Sequence, residues 1–220
     1  WLGEKISEGG LSSSVMATGN DRKGKISTAI FEIKQIIEDC RMQSLGGHRT
    51  ALQLWELALV PSLMNNAETW VELPNEALGE LEELQDMFLR LIFQVPRGTP
   101  KPALKWETGT WPMWARIMVK KLCFINSIKH QDDNVLAKQV LEEQIRLGLP
   151  GLAAECAELC QKLGLPNILK EKIKKSKWKK VVTEAIRKLI EKELRKDMEK
   201  LQKTDTIKED KFEMKAYVHG

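Results

Sequence analysis

The chain has 220 residues, of which 42% are hydrophobic and 30% charged, with 7 Trp against 1 Tyr and a formal net charge of +4. That composition excludes a disordered chain, and the length allows one domain or two small ones with a real core. No run of apolar residues reaches the length of a membrane span, so no transmembrane segment is expected.

Charge is distributed unevenly. Residues 1–169 carry a net −3, residues 170–203 a net +8 and residues 204–220 a net −1. The opening WLGEKISEGG lacks a basic stretch followed by an apolar one, so it does not read as a signal peptide. It also lacks an initiator Met, and the chain reads as a piece of something longer. Cys40, Cys123, Cys156 and Cys160 form no CxxC pair, and His48, His130 and His219 lie far from one another. The cysteines read as half-buried or buried thiols of a reducing compartment, which places the protein inside the cell, in cytoplasm or nucleus.

Residues 1–20 read as a short extended piece followed by a Gly/Ser-rich loop. From Asp21 the apolar period changes: Ile26, Ala29, Ile30, Ile33, Ile36, Ile37 and Cys40 fall at three- and four-residue steps, an amphipathic helix ended by Gly46 and Gly47. A second helix begins near His48 with Leu52, Trp55, Leu59 and Val60. It is apolar on most sides, so it is expected to be central, with Pro61 kinking or ending it. Asn75 is expected to cap a third helix with the stripe Leu78, Leu81, Leu84, Phe88, Leu91 and Ile92, stopped at Pro96.

Thr99 and Pro100 read as a cap and first helical residue of a short helix closed by Gly109. Pro112 opens a helix with Trp114, Ile117, Met118, Leu122, Ile125 and Ile128 on one face. Asp133 is expected to cap a helix through Ile145, stopped by Gly148 and Pro150. Residues 151–163 form one more, ended by Gly164 and Pro166. Ser176 is expected to cap the longest helix, residues 177–201. The fold class is therefore all-α, an array of about eight helices behind one short extended N-terminal segment.

No phosphate-binding Gly-rich loop, HExxH or GxSxG occurs. Asp132 and Asp133 are adjacent, but a two-metal site needs further ligands on rigid elements, and an Asp between two helices is more simply a cap. No metal or other cofactor and no small-molecule substrate is expected.

The segment EKIKKSKWKKVVTEAIRKLIEKELRK (171–196) carries the excess charge, and six of the nine residues 172–180 are lysine. Trp178, Val182, Ala185 and Leu189 share one side of the helix; Lys177, Lys180, Arg187, Lys188 and Arg195 lie roughly opposite. Such a ridge suits a phosphate backbone, with Lys174, Lys175, Lys177, Lys179, Lys180, Arg187 and Lys188 as contacts, because neutralised phosphates release counterions. A solvated surface helix, or a basic amphipathic helix for an anionic membrane or a calmodulin-like partner, is the alternative. A second basic cluster, Arg22, Lys23 and Lys25, opens the first helix, where backbone donors would assist anion binding.

Five ordered stretches resemble one known family: WLGEKI, SSSVMAT, RKGKISTAIFEI, LVPSLMNNAETW and IFQVPRGTPKPALKWETGTWP. They are similar to the region after the catalytic palm in non-LTR (LINE-like) retrotransposon reverse transcriptases, and they cover most of residues 1–130. KSKWKK and KFEMKAYV are similar to the connecting helices downstream. The chain departs from the family pattern at Trp1, where Tyr is usual, and at Met64-Asn65, where Leu-Tyr is frequent. The palm's Tyr/Phe-Ala-Asp-Asp, an earlier catalytic Asp and the Cys/His cluster that often follows are absent.

The resemblance implies the end of the palm and a loop in 1–20, a thumb-like helical domain in 21–130, connecting helices in 131–203 and a truncated tail in 204–220. It implies a non-catalytic fragment of an RNA-directed DNA polymerase, with RNA and DNA of a template–primer duplex as partners and a missing palm as a packing partner. Pro61, Asn66, Glu68, Trp70, Pro100, Glu107 and Gly109 would then be structural. Glu68 is expected to accept from backbone amides or from Arg90, and its removal to cost about 1–3 kcal/mol. The competing reading is a helical protein-interaction or structural module without nucleic-acid function.

Overall fold

A computed structural model describes residues 47–71 and 73–203, with Thr28 and Gln35 before them. The described residues are all-α, with no strand. Thr28 and Gln35 are helical, as the first amphipathic period predicts. The N-terminal extended segment, the Arg22, Lys23 and Lys25 cluster and the 204–220 tail lie outside the described residues. The described residues from Gly47 on divide into two compact units, 47–65 with 74–113 and 192–203, and 66–71 and 73 with 114–191.

In the first unit, α1 (Gly47–Leu54) runs into a π-helical turn (Trp55–Leu59) and a last α-turn, α2 (Val60–Leu63). Pro61 does not stop the helix at once: helical turns continue through it and end at Leu63. Proline lacks an N–H and its ring crowds the carbonyl four residues back. The wider π-turn, in which the Val60 N–H reaches Trp55 O, absorbs that conflict. The same helix is not enclosed. Ala51, Leu52, Trp55, Leu59 and Val60 are buried, while Leu54 and Leu57 are 41% and 79% exposed.

α3 (Asn75–Phe93) buries Leu81, Leu84, Phe88, Leu89 and Ile92; Leu78 and Leu91 are only half-buried. Phe88 stacks on Trp55 at 4.6 Å and Phe93 on His48 at 5.0 Å, so α3 locks α1 and its π-turn by ring contacts. Asn75 is the first helical residue, not the cap; Pro74 holds the N-cap position. The helix ends with Gln94 in the left-handed region, φ 52°, two residues before Pro96.

α4 (Lys101–Thr108) starts one residue after the sequence expectation, with Pro100 at the cap and Pro102 inside the first turn. Gly109, φ 64°, closes it as predicted. A buried polar network joins α3 to α4. Asp86, 1% exposed, lies 3.1 Å from Lys101 and 3.5 Å from Lys105, and Lys105 also bonds Glu82. Gln85 donates to Trp111 O at 2.8 Å, and Arg90 to Thr99 O at 3.2 Å. Hydrophobic periodicity gives no hint of Asp86 and Gln85, because they share a buried face with leucines.

The second unit holds most of α5 (Met113–Lys129), α6 (Leu136–Leu147), α7 (Leu152–Lys162) and the first half of α8 (Lys175–Lys203). α5 buries Ile117, Leu122, Ile125 and Ile128, as its period predicts, with Trp114 and Met118 half-buried. Val135, not Asp133, precedes α6; the Asp133 carboxylate stays exposed and bonds Lys138. Gly148 and Gly164, φ 62° and 63°, end α6 and the α7 region in the left-handed conformation that glycine tolerates. α8 begins at Lys175, so Ser176 lies in its first turn rather than capping it.

Candidate nucleic-acid interface

The lysine-rich start of α8 is held in place by α5. Lys129 donates to three carbonyls of the preceding loop, Ile168 O at 2.5 Å, Leu169 O at 3.0 Å and Glu171 O at 2.7 Å. Asn126 Nδ2 donates to Ile173 O at 3.0 Å, and Asn167 Oδ1 accepts from the Leu169 N–H at 2.9 Å. An ammonium has three donors and no acceptor, so Lys129 is saturated by this loop. Burial pulls its pKa down, with Glu171 opposing and Lys172 adding to the fall. The loop that feeds the lysines into α8 is therefore a fixed structure.

Trp178 is the anchor of the helix start. It is fully buried, and its indole N–H donates to Leu122 O at 2.8 Å. From it a buried stripe runs at four-residue steps: Val182, Ile186, Ile190, Leu194 and Met198. The expected face through Ala185 and Leu189 is corrected by this; both are half-buried flanks of the true stripe.

Around the anchor, Lys174, Lys175, Lys177, Lys179 and Lys180 are all exposed, and none forms an ion pair with a described residue. At 100° per residue, Lys177 and Lys174 fall on one flank of Trp178, Lys175 and Lys179 on the other, and Lys180 at the back. The charge thus surrounds the first turns of α8 rather than forming a single ridge. Arg187 and Lys188, two turns further on, differ. Arg187 bonds Glu191 at 3.3 Å and lies 4.0 Å from Glu184, and Lys188 lies 3.9 Å from Glu184. Their positive charge is already partly answered within the helix, at the usual three- and four-residue spacing.

The residues expected to be structural fall into place separately. Pro61 is exposed beside its π-turn. Asn66 adopts φ 59°, the left-handed conformation that Asn tolerates better than most side chains, and its carbonyl accepts from the Thr69 hydroxyl at 2.9 Å. Trp70 is buried. Glu68 does not meet Arg90; its carboxylate faces Lys120 at 3.5 Å, with both groups half-exposed. Glu107 is exposed on α4, and beyond it Thr108 and Thr110 join their hydroxyls at 2.7 Å around Gly109.

Sequence reasoning missed Lys120, Lys121, Asn126 and Lys129 on α5. Lys121 is buried and bonds Glu155 of α7 at 2.5 Å. Four polar residues at or beside buried positions of a helix with an apolar stripe were the available signal. Cys156 and Cys160 lie buried nearby, and burial pushes the Cys156 thiol up to about 12, so it is an inert packing group. Among the described residues no group of three or more His, Cys, Asp or Glu could hold a metal, and no helix is long and apolar enough to cross a membrane.

Comparison of the chain with family models, with curated proteins and with solved structures finds no match in any of the three.

Proposed function

We propose that this chain is a non-catalytic, thumb-like helical region of a retroelement reverse transcriptase that grips a template–primer duplex through its phosphates. One observation carries the reading: five lysines within 174–180 stand exposed, without carboxylate partners among the described residues, around the buried Trp178. Unpaired ammonium groups on a fixed helix start gain from phosphate contact because no internal ion pair has to be broken first. The ordered motifs of residues 1–130 supply the family side of the proposal. Because this chain lacks the palm's paired Asp, its role is to hold nucleic acid rather than to carry out chemistry.

Fluorescence anisotropy with a labelled RNA–DNA duplex tests it. Reversing Lys177 and Lys180 to Glu is expected to weaken binding at least about tenfold at about 100 mM salt, through lost phosphate contacts. Reversing Arg187, already paired with Glu191 and Glu184, is expected to have the smaller effect. Equal binding by all variants would overturn the proposal.

A second reading has its own observation. Leu54 and Leu57 are exposed on one face of α1 and its π-turn, which suits a protein-interaction module. Under that reading Leu57→Lys abolishes self-association or partner capture and leaves duplex binding unchanged; a strictly monomeric parent protein at all concentrations argues against it.

A further inference from the structure

Within the second unit, α5 and the start of α8 frame an open cleft of about 390 Å³. Its wall is mainly apolar, built by Cys123, Phe124 and Trp178. Its rim is charged. Glu68 and Lys120 face each other there at 3.5 Å and offset one another, leaving Lys175 and Lys179 with no carboxylate among the described residues. The rim therefore presents two net positive charges beside a flat ring.

Asn126 adds a polar feature. It lines the cleft and is 1% exposed. Donation from its Nδ2 to Ile173 O fixes which way the amide points, and its Oδ1 is left buried with no donor. A buried acceptor without a partner carries a desolvation cost that a ligand N–H would relieve.

These features discriminate among ligands. A divalent cation is repelled by the lysines. A small inorganic anion leaves the apolar wall unused, and an apolar molecule leaves two ammonium groups unanswered. We propose that the cleft binds a phosphomonoester carried on a flat ring, as in a mononucleotide or the 5′-phosphorylated end of a strand. The phosphate sits between Lys175 and Lys179, and the ring lies against Phe124. A phosphomonoester carries about −1.5 to −2 charges near neutral pH and matches the rim, whereas an internal phosphodiester carries one. Stacking of a base on an aromatic side chain beside a basic groove is how unpaired nucleotides are held in general. The choice of a nucleotide rests on the nucleic-acid reading above; the charge and ring chemistry do not.

Calorimetry on the full chain with AMP, adenosine and inorganic phosphate tests the assignment. AMP is expected to bind, with adenosine and phosphate each at least about tenfold weaker, since each lacks one half of the match. Lys179→Gln, a surface change that leaves the fold intact, is expected to weaken AMP severalfold, and Phe124→Ala to weaken AMP while sparing duplex binding. Alkylation of Cys123, followed by mass spectrometry, is expected to slow when AMP is present, which locates the ligand. Phosphate binding as tightly as AMP would overturn the proposal, as would unprotected Cys123. Duplex binding with no AMP binding overturns the cleft and leaves the broader reading standing; AMP binding with no duplex binding does the reverse. A 5′-phosphorylated trinucleotide that outcompetes AMP assigns the site to strand ends, and the opposite order assigns it to free mononucleotides.

Discussion

Replacing Trp178 by Phe isolates the contact that holds the lysine-rich turn of α8. The indole is fully buried and its N–H donates to Leu122 O at 2.8 Å. Phenylalanine keeps most of the ring packing but cannot donate. The lost hydrogen bond costs about 0.5–1.5 kcal/mol net, and the smaller ring leaves some of the indole's space unfilled, adding about 1 kcal/mol. Leu122 O also lies within α5, so it keeps a helical acceptor role, and the cost stays near the lower end for that carbonyl. The sum is about 2 kcal/mol, a fall in Tm of about 4–8 °C for a chain of this size. Trp178→Ala opens a much larger void and is expected to cost about 3–5 kcal/mol. Urea unfolding followed by far-UV circular dichroism measures both. A Phe variant as stable as the parent would refute the view that this indole anchors the helix start. So would an Ala variant that is no less stable than the Phe variant.

Outcomes at four further positions follow from the geometry. Asp86→Ala removes the carboxylate beside Lys101 and Lys105 and leaves Lys105 with Glu82 as its near partner; it is expected to cost about 1–3 kcal/mol in urea unfolding. Asn66→Ala, at φ 59°, is expected to cost about 1 kcal/mol, while Glu68→Ala, which loses only a half-exposed pair to Lys120, costs less than about 1 kcal/mol by the same unfolding assay. The Cys156 thiol, raised to about 12 by burial from an unfolded value of 9.0, favours the folded state fully below pH 9 and loses that contribution as pH rises toward 12; alkaline unfolding of Cys156→Ala is expected to lack this contribution to the slope, and an unchanged alkaline limb would contradict the burial.

The helices were legible because their apolar residues repeat at three- and four-residue steps and their ends carry Gly and Pro. Ile117, Leu122, Ile125 and Ile128 on α5, and Gly109, Gly148 and Gly164 at helix ends, follow the sequence directly. What the period could not show was polar chemistry on buried faces. Asp86 and Gln85 sit among leucines, and Lys129 spends its donors on carbonyls that are 39 to 42 residues away in sequence. The π-turn before Pro61 was hidden for a different reason: proline announces a conflict with the helix but not whether the chain resolves it by stopping or by widening one turn. The lysine cluster was visible as composition, but which lysines are unpaired depends on Glu184 and Glu191, whose reach to Arg187 and Lys188 is set by the helix itself.

Salt dependence of duplex binding tests the central claim most directly. If the five unpaired lysines of 174–180 each neutralise one phosphate, log affinity against log salt has a slope of about −4 to −5 for an RNA–DNA duplex, and changing Lys177 and Lys180 to Gln brings it to about −3. A slope near zero, or one that the double variant leaves unchanged, would contradict the account.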